Sequence, residues 1–273
     1  MQRALPQWRS EAQLRLLDVL PRAHAPFSQK PVAALILLED GAWVPGVRVE
    51  SASYPLILPA LLNAYTTMRA LERTDPAGIF MSRPFTPEES VLARQILARA
   101  PEELSVDDTS MVRERPDTFA AAPLSPFLSG PIPRTPEEGI AQSRTLFDRA
   151  YTPESDFQVA CLLETDDGML IPGVNVEHQD WSHILCAERN AVGTVISYGL
   201  TTRCTLYLSC ARQAGCTPCG ACRQLLAELT PLASLWIDQG PNTPPKSYQP
   251  HDLLPEMFAG DVLLQRPNSL DAV

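Results

Sequence analysis

The sequence predicts an α/β protein of two tandem domains, each a mixed sheet of about five strands with helices packed against it. Three observations carry this: helical and strand-like patterns alternate along the chain, the pattern is written twice, and a stretch rich in Pro, Ser and Gly separates the copies. At 273 residues the chain has room for two cores of ordinary size.

The duplication is read from residues that recur 127 positions apart. Gly46-Val47-Arg48-Val49-Glu50 answers to Gly173-Val174-Asn175-Val176-Glu177, Ala25-Pro26-Phe27-Ser28 to Thr152-Pro153-Glu154-Ser155, and Asn63-Ala64 to Asn190-Ala191. Each copy opens with a helical stretch, Glu11 to Leu20 or Ile140 to Ala150, and continues into an extended apolar run, Pro31 to Leu38 or Phe157 to Glu164. Asp40-Gly41 and Asp167-Gly168 then supply hairpin turns. In the second copy a helix from about Ala187 to Ile196, a strand from Thr205 to Ser209, a helix from Cys219 to Leu229 and a strand from Ser234 to Asp238 complete the order. The expected division is a first domain over 1–130, a linker over 131–139 and a second domain over 140–273.

A formal net charge of -10, with no run of Lys and Arg, offers no footprint for a nucleic-acid backbone. No apolar run is long enough to span a bilayer, and the first residues lack the apolar stretch of a secretory signal, so the expectation is a cytoplasmic protein without a membrane partner. All seven cysteines lie between Cys161 and Cys222. A stapled secreted scaffold does not distribute them so, and the pattern points to thiols with a local task.

Cys186-Ala187-Glu188 precedes Pro218-Cys219-Gly220-Ala221-Cys222 by about thirty residues, and both cysteine sites fall where a helix should begin. A helix N-terminus and a metal both lower a thiol's pKa, and the thiolate is the form that binds zinc. Cys219 and Cys222, three apart at a helix start, can grip one ion together. Three protein ligands leave a fourth tetrahedral position for water, which marks a catalytic site, and a carboxylate at Glu188 could relay that water's proton. A closed four-cysteine site that adds Cys216 is the structural alternative. Cys161, Cys204 and Cys210 read as core thiols, and His178 and His183 as surface or interface residues.

Cys-Ala-Glu followed by Pro-Cys-x-x-Cys resembles the zinc cytidine deaminase signature, over most of Tyr151 to Phe258. The resemblance implies three-layer α/β/α domains and one Zn2+ per chain, held by Cys186, Cys219 and Cys222. By it, the reaction is hydrolytic deamination of cytidine and deoxycytidine to uridine and deoxyuridine with release of ammonia, in pyrimidine salvage. A zinc-bound hydroxide attacks C4 and Glu188 shuttles protons. Arg189 stands where three-cysteine members hydrogen-bond the ligand sulfurs. Asn175 and Glu177 match the pair that holds the ribose, Phe157 matches an aromatic near sugar and base, Ala187 adjoins the substrate, and Phe258 takes the place of the Phe that stacks on the pyrimidine.

At the matching positions of the first copy Pro59 replaces Cys186, Leu61 replaces Glu188, Arg48 replaces Asn175 and Lys30 replaces Phe157, so this copy is expected to bind no catalytic zinc. It retains Glu50-Ser51-Ala52-Ser53-Tyr54-Pro55, similar to the family's Glu-Asn-Ala-x-Tyr-Pro, whose Ala and Tyr reach a neighbouring pocket in tetrameric relatives. Ala52 and Tyr54 are therefore expected to serve the working site, in a homodimer whose four domains imitate the tetrameric core. Two alternatives are a deaminase for another aminopyrimidine nucleoside, such as a blasticidin-type compound, and a zinc-binding regulator without turnover. Glu177 and an intact Glu188 speak against them in turn.

Overall fold

The structure is a computed structural model describing residues 7–98, 104–113 and 119–264. In the first half, helix α1 (Gln7–Val19) leads to strands β1 (Ala33–Leu38) and β2 (Trp43–Val47), helix α2 (Ala60–Ala70), strand β3 (Pro76–Met81), helix α3 (Pro87–Leu97) and the short strands β4 (Ser105–Val106) and β5 (Ser110–Val112). The second half repeats this order with α4 (Pro136–Arg144), β6 (Val159–Thr165), β7 (Leu170–Val174), α5 (Ala187–Tyr198), β8 (Cys204–Cys210), α6 (Gly220–Leu229), β9 (Ser234–Ile237) and β10 (Lys246–Tyr248).

The two sheets run β2-β1-β3-β5-β4 and β7-β6-β8-β9-β10. Their leading hairpins have one register at the 127-residue offset: Ala33 faces Val47, and Ala160 faces Val174. The β-bridges repeat too, with Val49 joining His24 to Leu58 and Val176 joining Tyr151 to Leu185. α1 packs on β1 and β3 and α4 on β8 and β6; α2 packs on β1 and β2, and α5 on β6 and β7.

The second sheet is mixed, as expected, because α6 carries the chain back to lay β9 parallel to β8. The first differs from the expectation. Every pairing in it is antiparallel, since the chain returns after α3 as the hairpin of β4 and β5, and β5 takes the place beside β3.

The second half's first helix also starts earlier than its apolar pattern suggested. Thr135 caps it by accepting from the Glu138 N–H, with Pro136 at the first helical position, so α4 begins inside the 131–139 segment. The chain before it is held to both halves: Leu124 N–H donates to the Trp43 carbonyl and Leu128 N–H to the Leu170 carbonyl.

The largest buried apolar cluster runs through both halves, from Leu35 and Leu61 to Leu163 and Val195. Its seam is α2 against α5. Each helix sits close to its own hairpin because a glycine faces it: a Cβ on Gly173 would lie 2.3 Å from the Ala187 carbonyl oxygen, and one on Gly46 2.3 Å from that of Ala60. No described helix is long and apolar enough to cross a membrane.

Candidate metal centre

Two helix starts converge in the second half. Cys186 is the N-cap of α5 and Cys219 the N-cap of α6, each in an extended conformation with no side-chain cap. The first-turn N–H groups of both helices are thereby left free to favour negative charge. Cys222, one turn into α6, is buried, Cys186 is half-buried and Cys219 is exposed.

The Sγ atoms of Cys186, Cys219 and Cys222 all lie within 4.8 Å of one another, and no other such group of His, Cys, Asp or Glu occurs among the described residues. Cys186 Sγ is 3.7 Å from Cys219 Sγ, which is 3.6 Å from Cys222 Sγ. A tetrahedral zinc ion with bonds of about 2.3 Å sets its sulfur ligands about 3.8 Å apart. Two of the three sulfur pairs thus already stand at zinc spacing, and the third lies within 4.8 Å. Cys216 stands outside the group and faces the Cys210 thiol, so the four-cysteine alternative finds no support.

Hydrogen bonds from Cys186 and Cys222, aided by backbone N–H groups of Cys222 and Ala221, pull the Cys219 thiol down to about 2, while the contact with Cys219 raises Cys186 and contacts with Cys186 and Cys219, with burial, raise Cys222. One thiolate shared by two thiols is the form these contacts favour. Glu188, the second residue of α5, is buried. Burial pushes its carboxyl up to about 7, against its own backbone hydrogen bond. A carboxyl so placed exchanges protons near neutrality.

The remaining expected site residues each have partners of their own. Asn175 Oδ1 accepts from Val159 N–H at 2.8 Å and its Nδ2 donates to the Phe157 carbonyl at 2.8 Å, so its amide pins the start of β6 and the Phe157 backbone just before it. Glu177 is buried and accepts from the N–H groups of Glu154 and Ser155 at 3.0 and 3.1 Å, and from the Ser155 hydroxyl. Glu50 makes the same three bonds with Phe27 and Ser28. The carboxylate therefore has a structural task in both halves. Ala187 is fully buried in the first turn of α5.

Arg189 departs from its expected partner. Its Nη2 donates to the Leu56 carbonyl of the first half at 2.9 Å, and its buried Nε has no hydrogen bond among the described residues. The first half is within reach because the segment after Glu50 folds over α6: Ser51 Oγ and Ala52 N–H donate to the Glu228 carboxylate, each at 3.1 Å. Ala52 is thus buried against the second half of its own chain. Tyr54 is 80% exposed. Phe258, 49% exposed, is held to α6 through its carbonyl, which accepts from Gln224 at 3.0 Å. Ser155, Glu228 and Leu56 carry no motif of their own. Ser155 alone left a signal, since Ser28 repeats it at the 127-residue offset.

The sequence model of the family described as the cytidine and deoxycytidylate deaminase zinc-binding region matches residues 133–234, a span containing all three thiols and Glu188. The cytidine deaminase of Sporosarcina psychrophila is 37% identical over 92 residues, covering 34% of this chain and 68% of that protein. The cytidine deaminase of Mycobacterium tuberculosis is 37% identical over 116 residues, covering 42% of this chain and 82% of that one. Among solved structures, the cytidine deaminase of Burkholderia pseudomallei aligns with 29% identity and a TM-score of 0.43, over 45% of this chain and 99% of its own.

Proposed function

This chain belongs to the cytidine deaminase family, and we propose that it deaminates cytidine and deoxycytidine by hydrolysis at a single site in its second half, in pyrimidine salvage in the cytoplasm. The observation that carries this reading is Glu188, a buried carboxyl poised near neutrality two residues from the first of three convergent thiols. A purely structural zinc site needs no such group.

When bound by Cys186, Cys219 and Cys222, zinc supplies the Lewis acidity that makes water a nucleophile at neutral pH. The chain's own residues do the rest. Glu188 takes a proton from the water that adds at C4 of the ring, delivers it to N3, and moves a second proton to the exocyclic nitrogen. The C4–N bond breaks, ammonia leaves, and a carbonyl remains at C4. Burial of Glu188 keeps both its protonation states accessible through this cycle.

Asn175 and Glu177 hold the ribose in this proposal. A primary amide has two N–H groups and a carboxylate about four lone-pair positions, so each retains capacity for a sugar hydroxyl beyond its present bonds. Phe157 and Ala187 border the base, and Phe258 covers it. The first half is read as a metal-free copy over 1–130, joined through 131–139 to the catalytic copy over 140–273. Its segment Ala52 to Tyr54 lies beside α6, and a homodimer would bring the exposed Tyr54 ring and Phe258 to a neighbouring site.

The test is the fall in cytidine ultraviolet absorbance on adding the zinc-loaded protein, beside a Glu188→Gln variant. Turnover by the first, with a loss of roughly 10²–10⁴-fold in the second at equal zinc content, supports the reading. Zinc-loaded protein inert toward both nucleosides would sink it.

A further inference from the structure

The first half retains a cavity where the second half has its metal centre. Its wall includes Pro59 and Leu61, the residues at the positions of Cys186 and Glu188, together with Arg48, at the position of Asn175. The volume is about 250 Å³, below the roughly 300 Å³ at which pockets for drug-sized ligands begin, which sizes an occupant to a molecule no larger than a nucleoside. The lining is mainly apolar, with Val32, Ile57, Leu62 and Leu92 among it, and the Thr86 hydroxyl and Glu88 carboxylate also stand in the wall.

Two polar groups in this wall have unused capacity. Arg48 ion-pairs with Glu50 through Nε at 2.9 Å, and its two terminal nitrogens make no hydrogen bond among the described residues. His183 reaches the same cavity from the second half, and its buried Nδ1 has no hydrogen bond among the described residues. Burial lowers the His183 pKa despite Asp180 nearby, which keeps the ring neutral and able to donate from one nitrogen and accept at the other. The other guanidinium at the cavity, Arg83, is taken up by a two-pronged bond to Glu89 at 2.6 and 2.8 Å. The wall's cations are thus paired, which disfavours a strongly anionic ligand. An apolar slot with a guanidinium donor and a neutral imidazole suits an uncharged ring bearing carbonyl acceptors and a ring N–H.

We infer that the metal-free half is a second, non-catalytic binding site for a pyrimidinone nucleoside of the uridine kind, the product class of the reaction proposed above, held by Arg48 and His183. Arg48 favours it over the aminopyrimidine, because deamination replaces the donor at C4 with a carbonyl acceptor that a guanidinium can bond. Relevance to turnover rests on the deaminase reading; the site itself does not.

Equilibrium dialysis of labelled uridine against the zinc-loaded protein tests this, with Arg48→Met to remove the donor and Ile57→Trp to fill the cavity from its half-buried rim. Circular dichroism and zinc content establish that each variant is folded, and either folded variant suffices. The expected result is that one equivalent of bound uridine per chain is lost in the variants, while uridine bound at the metal-centre half remains. Bound uridine equal in unaltered protein and folded variants overturns the inference, whatever the chain does to cytidine. Should the deaminase reading fail instead, the Arg48-dependent equivalent would still be seen.

Discussion

The Asn63 side-chain amide donates to the Gly193 carbonyl, 3.2 Å away, across the seam between the two halves. It also donates to the Val47 carbonyl at 3.0 Å and to Ser197 Oγ at 2.8 Å. Its counterpart Asn190 serves its own half, accepting from Val174 N–H at 3.0 Å. The repeated Asn thus ties α2 to α5 on one side and α5 to β7 on the other. Thr67 and Thr194, one turn on, meet across the same seam at 2.8 Å.

Asn63→Ala leaves buried acceptors at Val47 and Gly193 without that donor, so a stability loss of about 1–3 kcal/mol is expected. Urea unfolding followed by circular dichroism reads it. Zinc content should not change, because neither Cys186 nor Cys219 is held by this residue. An unaltered midpoint would show that the seam does not depend on the amide.

Gly173→Ala would put a Cβ 2.3 Å from the Ala187 carbonyl and 2.7 Å from the Ala191 Cβ, so α5 must move. A destabilisation of about 1–3 kcal/mol is expected, together with weakened zinc retention, since α5 carries Cys186. Gly46→Ala meets the same crowding at Ala60 and Ala64, and should lower stability while leaving zinc in place. Zinc retention on dialysis against a chelator separates the two.

Glu50→Gln and Glu177→Gln separate the structural and sugar-binding duties of the repeated carboxylate. Both variants should lower the melting temperature, and only the second should raise KM for cytidine. Burial alone would raise the Glu50 pKa, but the Ser28 hydroxyl and N–H, the Phe27 N–H and Arg48 together hold it below its ordinary value of 4.5. A carboxyl lowered in this way binds fewer protons folded than unfolded, so its stabilisation is full above that value and fades as pH falls through the folded pKa. Acid unfolding should accordingly be shallower in Glu50→Gln.

Cys219→Ser should abolish zinc binding and turnover, and Cys216→Ser should keep about one zinc per chain, as befits a three-ligand catalytic site. Atomic absorption after gel filtration reads both. Loss of zinc from Cys216→Ser would bring the fourth thiol back into the centre.

Removing zinc from the unaltered protein should end turnover and lower the melting temperature, since an ion that binds only the folded state stabilises it by mass action. Restoring zinc should recover both. Activity surviving in the stripped protein would break the assignment of Cys186, Cys219 and Cys222.

The metal centre was legible in the sequence because its determinants are local. A cysteine just before a helix, a carboxylate two residues on and a pair of thiols three apart keep their relation wherever the helices pack. The order of elements was legible for the same reason, since Asp-Gly turns and apolar periodicity act over a few residues. Two local signals reach beyond the apolar pattern: Thr135-Pro136 starts α4 ahead of its apolar face, and Ser28 and Ser155 recur in the sequence with no motif to give them a role.

The sequence alone determined the duplication, the three thiols, Glu188 and the loss of ligands from the first copy, all fixed by residue type and spacing along the chain. Tertiary structure alone decided where the halves meet and what their unspent groups do. Arg189 turns to the Leu56 carbonyl, Glu228 grips Ser51 and Ala52, and His183 enters the other half's cavity, because packing α2 against α5 brings residues more than a hundred positions apart into contact. The antiparallel first sheet likewise follows from which strand reaches the edge of β3, a competition between whole segments that no local pattern records.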